Sequence, residues 1–233
     1  RNTVWKDNYT LFTTDVQNSD NSAKLQNAAA GALIDRSVRL DGAEKEASLR
    51  RAIDHLKRAR ELHPTYKSPN LLLGNAYFYL GQHEKAVEYF NKALQQDPNF
   101  ADAKLNLALS QRELNKFDKC ISLLKSLTDE PRVSSKAKAQ LLISYEEAGK
   151  AMGKQGRLQE AFEYFKTGLD NGGDPAKFNY FLGITSAQLR NLEKAKEFLQ
   201  EAKKHPMDKD NQQNVDNALN RVISDLKNGE VNE

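Results

Sequence analysis

An all-α solenoid of stacked helix pairs is the fold class this chain predicts, and three observations predict it. Residues 67–100 hold Gly74, Tyr77, Ala86, Phe90, Ala93 and Pro98, a spacing that lays two antiparallel helices into a repeat of about 34 residues. The same order of small, apolar and stop residues returns on both sides of that window, in approximate phase. No segment reads as a strand.

The window has a chemical logic. Small residues at Gly74 and Ala86 stand where the two helices must approach closely, and Leu73, Tyr77 and Phe90 fill the gap between them. Pro98 stops the second helix because it has no amide hydrogen to donate.

Carried along the chain, the register gives five repeats between two capping segments. Residues 1–23 form a first segment in which Asp7 caps a short helix with Tyr9, Phe12 and Val16 on one side. Residues 24–66 follow, with a first helix over 24–34, Gly31 at the close-contact site, and Ala52, Leu56, Ala59 and Pro64 in the second helix. An insertion over 36–43 is expected to lengthen both helices before Gly42 breaks them. After 67–100, residues 101–134 place Leu107 and Ala108 in the first helix, Cys120 at the small position, Leu124 at the aromatic one and Pro131 near the stop. Residues 135–175 restore the pattern with Gly149, Met152, Ala161 and Phe165, behind a longer first helix for which Ser134 or Ser135 is the expected cap. Residues 176–207 carry Leu182, Gly183, Ala195, Leu199, Ala202 and a closing Pro206. In 208–233, Val215, Leu219, Val222, Ile223 and Leu226 make one apolar stripe that can cover the last repeat, and Asn228-Gly229 is expected to end that helix.

The pattern resembles the tetratricopeptide repeat (TPR). That resemblance implies a right-handed superhelix whose work is binding rather than catalysis.

Composition agrees with a thin, well-solvated array. The formal net charge of +3 over 233 residues is too small to argue for nucleic acid. Cys120 is the single cysteine, so no intrachain disulfide forms, and its register position makes it a buried structural thiol. His55, His63, His83 and His205 lack metal-ligand spacing, and neither a phosphate-cradling glycine loop nor a nucleophile elbow is present. No catalytic residue, cofactor or metal is therefore expected. No run is long enough to span a bilayer. Because the chain opens at Arg1, it is expected to be the soluble part of a longer protein. The arginines and lysines of residues 36–60 read as a solvated face with i,i+4 partners, with anionic lipid as the alternative contact.

The TPR resemblance implies that first helices line a concave groove, and it nominates candidate partner-binding residues. These are Leu71, Asn75, Phe78, Tyr79, Leu105, Asn106, Leu109, Arg112, Lys150 and Tyr180. Leu71, Phe78, Tyr79, Leu105 and Leu109 would form an apolar, partly aromatic patch suited to a protein or peptide segment. Asn75 and Asn106 occupy the two asparagine positions of the clamp with which chaperone-binding TPR domains hold a peptide C-terminus. Leu71, Ile143 and Glu147 stand where that clamp needs cations, so a clamp is not expected.

The first residues carry a second resemblance. Arg1, Asn2, Trp5, Lys6, Asp7, Leu11 and Phe12, then Ala23 and Lys24, resemble the junction after the last membrane span in transmembrane-and-TPR O-mannosyltransferases and their bacterial relatives. This implies an extramembrane arm on the periplasmic or luminal side, with glycosyl transfer carried elsewhere in the protein and Arg1, Trp5 and Lys6 lying near the membrane. Trp5, Arg1 and Lys6 also suit a membrane–water interface on chemistry alone. Two alternatives stand beside it: a free-standing adaptor in periplasm or cytoplasm, or a self-assembly module whose groove takes another copy.

Overall fold

The computed structural model describes residues 7–230, which form twelve helices and no strand. Arg1, Trp5 and Lys6 lie outside the described residues. The all-α prediction is the observed fold class. Two compact units divide between Ala137 and Lys138, within one helix.

The first unit holds α1 (Asn8–Asn18), α2 (Ala23–Ser37), α3 (Gly42–Leu62), α4 (Ser68–Tyr79), α5 (His83–Gln96), α6 (Ala101–Glu113), α7 (Phe117–Lys125) and the start of α8 (Ser134–Lys154). Helices adjacent in sequence pack against each other, α2 on α3, α4 on α5 and α6 on α7. The second unit holds the rest of α8, α9 (Leu158–Asp170), α10 (Pro175–Gln188), α11 (Leu192–Lys203) and α12 (Lys209–Glu230). There α10 packs on α9 and α11, and α11 on α12.

Packing within each pair follows the repeat chemistry. Ala52, Ala86, Cys120, Ala161 and Ala195 are fully buried, and so are Leu56, Phe90, Leu124 and Leu199. A Cβ on Gly74 would lie 2.3 Å from Cε1 of Phe90, one on Gly149 2.5 Å from Cε1 of Phe165, and one on Gly183 2.6 Å from Cγ of Leu199. Each glycine leaves the room that a large side chain of the following helix occupies. Tyr77 is only half-buried and instead stacks on Tyr89, with ring centroids 5.3 Å apart.

The turns inside four of the pairs share a device. Gly81, Asn115, Gly156 and Arg190 all adopt left-handed backbone, with φ of 71°, 55°, 74° and 64°. In each, the next residue's N–H donates back across the turn: Gln82 to Tyr77 O, Lys116 to Gln111 O, Arg157 to Met152 O and Asn191 to Ser186 O. These bonds satisfy carbonyls at the end of the first helix and reverse the chain. The α2–α3 pair turns differently, with Asp41 before α3 and Gly42, at φ 52°, as its first residue. The insertion does lengthen α3, to 21 residues.

Several sequence expectations are corrected. Gly31 is not a close-approach site, because a Cβ there would meet only Leu72 at 3.9 Å, while the fully buried small residues of α2 are Ala29 and Ala30. Neither Ser134 nor Ser135 caps α8; both lie inside it, and the Ser134 hydroxyl donates back to the Thr128 carbonyl. The second helix of residues 101–134 stops at Lys125, well before Pro131, and α12 runs through Asn228-Gly229 to Glu230. The caps otherwise pack as read. The Asp7 carboxylate accepts from Thr10 N at 2.7 Å, Val16 is buried, and Val215, Leu219 and Val222 bury against Leu199 and Ala202.

Candidate functional site

The candidate residues fall into two pockets, one in each unit. The first is a cavity of about 290 Å³ lined by Asn75, Phe78 and Tyr79 from α4, Phe90 from α5, Asn106 and Leu109 from α6, and Lys136 from the first turn of α8. Inside it the Asn106 side-chain amide donates to Asn75 Oδ1 at 2.8 Å, joining positions 31 residues apart. The pairing uses one donor of Asn106 and one acceptor of Asn75. It leaves the Asn75 amide hydrogens and the Asn106 carbonyl oxygen without a partner among the described residues. Phe78 meets Tyr79 and His83 edge-on, at 5.9 and 5.2 Å between ring centroids, and Tyr79 is 42% exposed.

Three nominated residues sit elsewhere. Leu105 is 2% exposed and belongs to the core, so the expected apolar patch loses it. Leu71 packs half-buried against the cluster of Ala86, Phe90 and Leu107. Arg112, in the last turn of α6, is half-buried and lines neither pocket. The clamp positions named from the sequence hold no cation, but a lysine outside them, Lys136, lines the same cavity. Ile143 and Glu147 follow from a register that discounts the extra turns of α8, whereas the folded helix brings its first turn, with Lys136, to the cavity.

The second cavity, of about 420 Å³, includes Glu146 and Lys150 of α8, Asp174 just before α10 with Lys177, Tyr180 and Phe181 in it, and Met207 and Asp208 just before α12 with Asn211 and Asn214 in it. Glu146 is the hub. Its Oε1 lies 2.6 Å from Lys150 Nζ and its Oε2 3.3 Å from Lys177 Nζ, with its side chain only 19% exposed. Burial opposes ionisation, but the hydrogen bonds and charges of Lys150 and Lys177 outweigh it and hold the Glu146 carboxyl below its ordinary range. Lys150 Nζ also rests 4.8 Å from the Phe181 ring, which stacks on Phe165. Asp174 accepts from the backbone of Ala176 and Lys177, and Asp208 from that of Asn211. Both carboxylates thus satisfy helix N-termini, where the dipole offsets their charge.

Sequence reasoning found Lys150 and Tyr180 but missed Phe181, Met207, Asn211 and Asn214. Met207 closes the final repeat, and Asn211 and Asn214 follow it, where no register applies. Among the described residues no cluster of three or more His, Cys, Asp or Glu could hold a metal ion. No described helix is long and apolar enough to cross a membrane.

Comparison with known proteins follows this geometry. Tetratricopeptide-repeat family models match residues 71–100, 102–131 and 147–213. The crystal structure of YrrB, described as a TPR protein with an unusual peptide-binding site, is 23% identical; the match covers 82% of this chain and 90% of that one at a TM-score of 0.54. MamA from Desulfovibrio magneticus RS-1 is 17% identical, over 77% of this chain and 94% of that one, at 0.51. A UDP-N-acetylglucosamine–peptide N-acetylglucosaminyltransferase of Giardia intestinalis is 33% identical over 86 residues, which are 34% of this chain and 6% of that protein.

Proposed function

We propose that this chain, a tetratricopeptide-repeat protein, holds an extended polypeptide segment in the cavity between α4, α6 and the start of α8. The TPR fold is that of a protein-interaction scaffold and is generally non-catalytic. The observation that carries the reading is the Asn75–Asn106 pair, with one amide donor set and one carbonyl acceptor left over. A peptide unit offers the matching acceptor and donor. Phe78, Tyr79 and Leu109 give its side chain an apolar wall, and Lys136 supplies a cation for a carboxylate of the same segment.

The test is selection from a random peptide library on immobilised protein, then affinity measurement. Peptides selected on the wild type should bind Asn75→Ala/Asn106→Ala at least about tenfold more weakly, the loss of about 1.4 kcal/mol that a truncated amide pair accounts for. Helical content should be unchanged. Equal affinity for both proteins would sink the reading. If instead the groove takes another copy of the chain, sedimentation would reveal concentration-dependent dimers that charged residues at Phe78 and Tyr79 abolish.

A wider context rests on a different observation, the residues from Arg1 to Lys24 that resemble the junction of membrane O-mannosyltransferases. We propose that the chain is the extramembrane, extracytoplasmic arm of such a protein and recruits acceptor polypeptides or assembly partners. In the natural full-length protein this arm should fractionate with membranes and be cut by protease added only from the extracytoplasmic side. Recovery in the soluble fraction would leave the free-standing adaptor.

A further inference from the structure

We propose that the cavity between α8, α10 and α12 is a second, separate peptide site, selective for an acidic residue beside an aromatic or large apolar one. The inference rests on the reading of this chain as a polypeptide-binding module, but not on the Asn75–Asn106 cavity.

Charge and shape argue it together. Glu146 spends its two oxygens on two ammonium groups, Lys150 at 2.6 Å and Lys177 at 3.3 Å. The trio carries a net positive charge, and each ammonium keeps hydrogens that Glu146 does not use. The other carboxylates on the lining, Asp174 and Asp208, are turned to the helix starts they cap. They therefore oppose an incoming anion less than free carboxylates would. An acidic side chain entering the cavity extends the alternation of charges by one member. Asn214 adds an exposed amide with no partner among the described residues.

The remaining lining is apolar. Phe181 is fixed by its 4.9 Å stack on Phe165, Tyr180 leans on it at 5.6 Å between centroids, and Met207 lies on the loop before α12. Lys150 sits over the Phe181 ring, so cation and aromatic wall are adjacent. A ligand whose carboxylate neighbours an aromatic ring can use both at once. A cavity of about 420 Å³ lies within the usual range for binding pockets, about 300–1,000 Å³. Both lysines are about half-exposed, so the charge contribution is modest and falls with added salt.

The chain supplies its own reporter. It contains two methionines, Met152 and Met207; Met207 lines the cavity, while Met152 is buried and does not. The experiment is a ¹³C-methyl-methionine NMR titration on the Asn75→Ala/Asn106→Ala background, which removes the first site from the readout. The probes are the capped peptides acetyl-Gly-Phe-Glu-Gly-amide and acetyl-Gly-Phe-Gln-Gly-amide. The expected result is a saturable shift of Met207 with Met152 unmoved, and binding about three- to fivefold weaker for the glutamine peptide. Lys177→Gln should bring the glutamate peptide down to the glutamine level, whereas Lys177→Arg should preserve the preference. Absence of a Met207 shift at millimolar peptide would overturn the proposal. So would equal response to both peptides, or parallel movement of Met152. These outcomes are independent of whether Asn75 and Asn106 bind anything, so the two sites fail or stand separately.

Discussion

Individual residues in this chain are read correctly when their role is a volume and less well when it is a direction. Gly74 is legible because a helix facing Phe90 at that distance has no room for a Cβ. Gly31 has the same residue type and nearly the same register, yet its Cβ position is open. The two therefore make a matched test. Gly74→Ala should destabilise the protein by about 1–3 kcal/mol, because the fully buried Phe90 ring must move. Gly31→Ala should be neutral or stabilising by up to about 1 kcal/mol, since alanine restricts the unfolded chain without a clash. Urea denaturation decides both, and a stable Gly74→Ala would contradict the packing described. Leu105 shows the opposite difficulty. Its count along α6 nominates it for the groove, yet the side chain is buried in the core.

At the scale of elements, the turn between paired helices is the most regular feature and was half visible beforehand. Glycine at positions 81 and 156 is the ordinary choice for left-handed backbone, but Asn115 and Arg190 occupy the same conformation without advertising it. Packing of the two helices dictates that backbone, and the residue tolerates it at a cost of about 1–2 kcal/mol for a non-glycine side chain. Arg190 is exposed. Arg190→Gly should relieve that cost, less the greater freedom of unfolded glycine, for a net gain of about 0.5–1 kcal/mol in thermal or urea unfolding. A loss would mean that the Arg190 side chain makes a compensating contact. The long helix α8 was expected from its extra residues, but the serine expected as its cap is already its first residue. Serine before a helix looks like a cap, but Ser134 lies inside the helix and its hydroxyl bonds backward.

Across the whole molecule, each unit holds one of the two candidate cavities, and each cavity combines groups from three or more segments. The first gathers Asn75, Asn106 and Lys136; the second gathers Glu146, Lys177 and Met207. In a repeat protein every helix pair contacts only its neighbours, so binding surfaces are assembled locally and can differ along one chain. Two chemically unlike cavities, one amide-rich and one ionic and aromatic, therefore fit one interaction scaffold. The proposed membrane context belongs to this scale as well. It predicts that the full-length protein carries this array outside the membrane, where extracytoplasmic protease releases it; a cytosolic location would remove the transferase setting and leave both cavities as they are.

The sequence by itself determined the helical class and, Gly31 apart, the small residues at which paired helices touch. Those depend on residue size at fixed spacing, a local property that one period of the pattern already specifies. Only the tertiary structure decided which side chains share a cavity. Lys136, from the first turn of α8, lines the cavity of the asparagine pair, and Met207, from the loop before α12, lines the cavity of Lys177. Such meetings depend on helix rotation and loop path, which packing between segments sets and no single segment encodes.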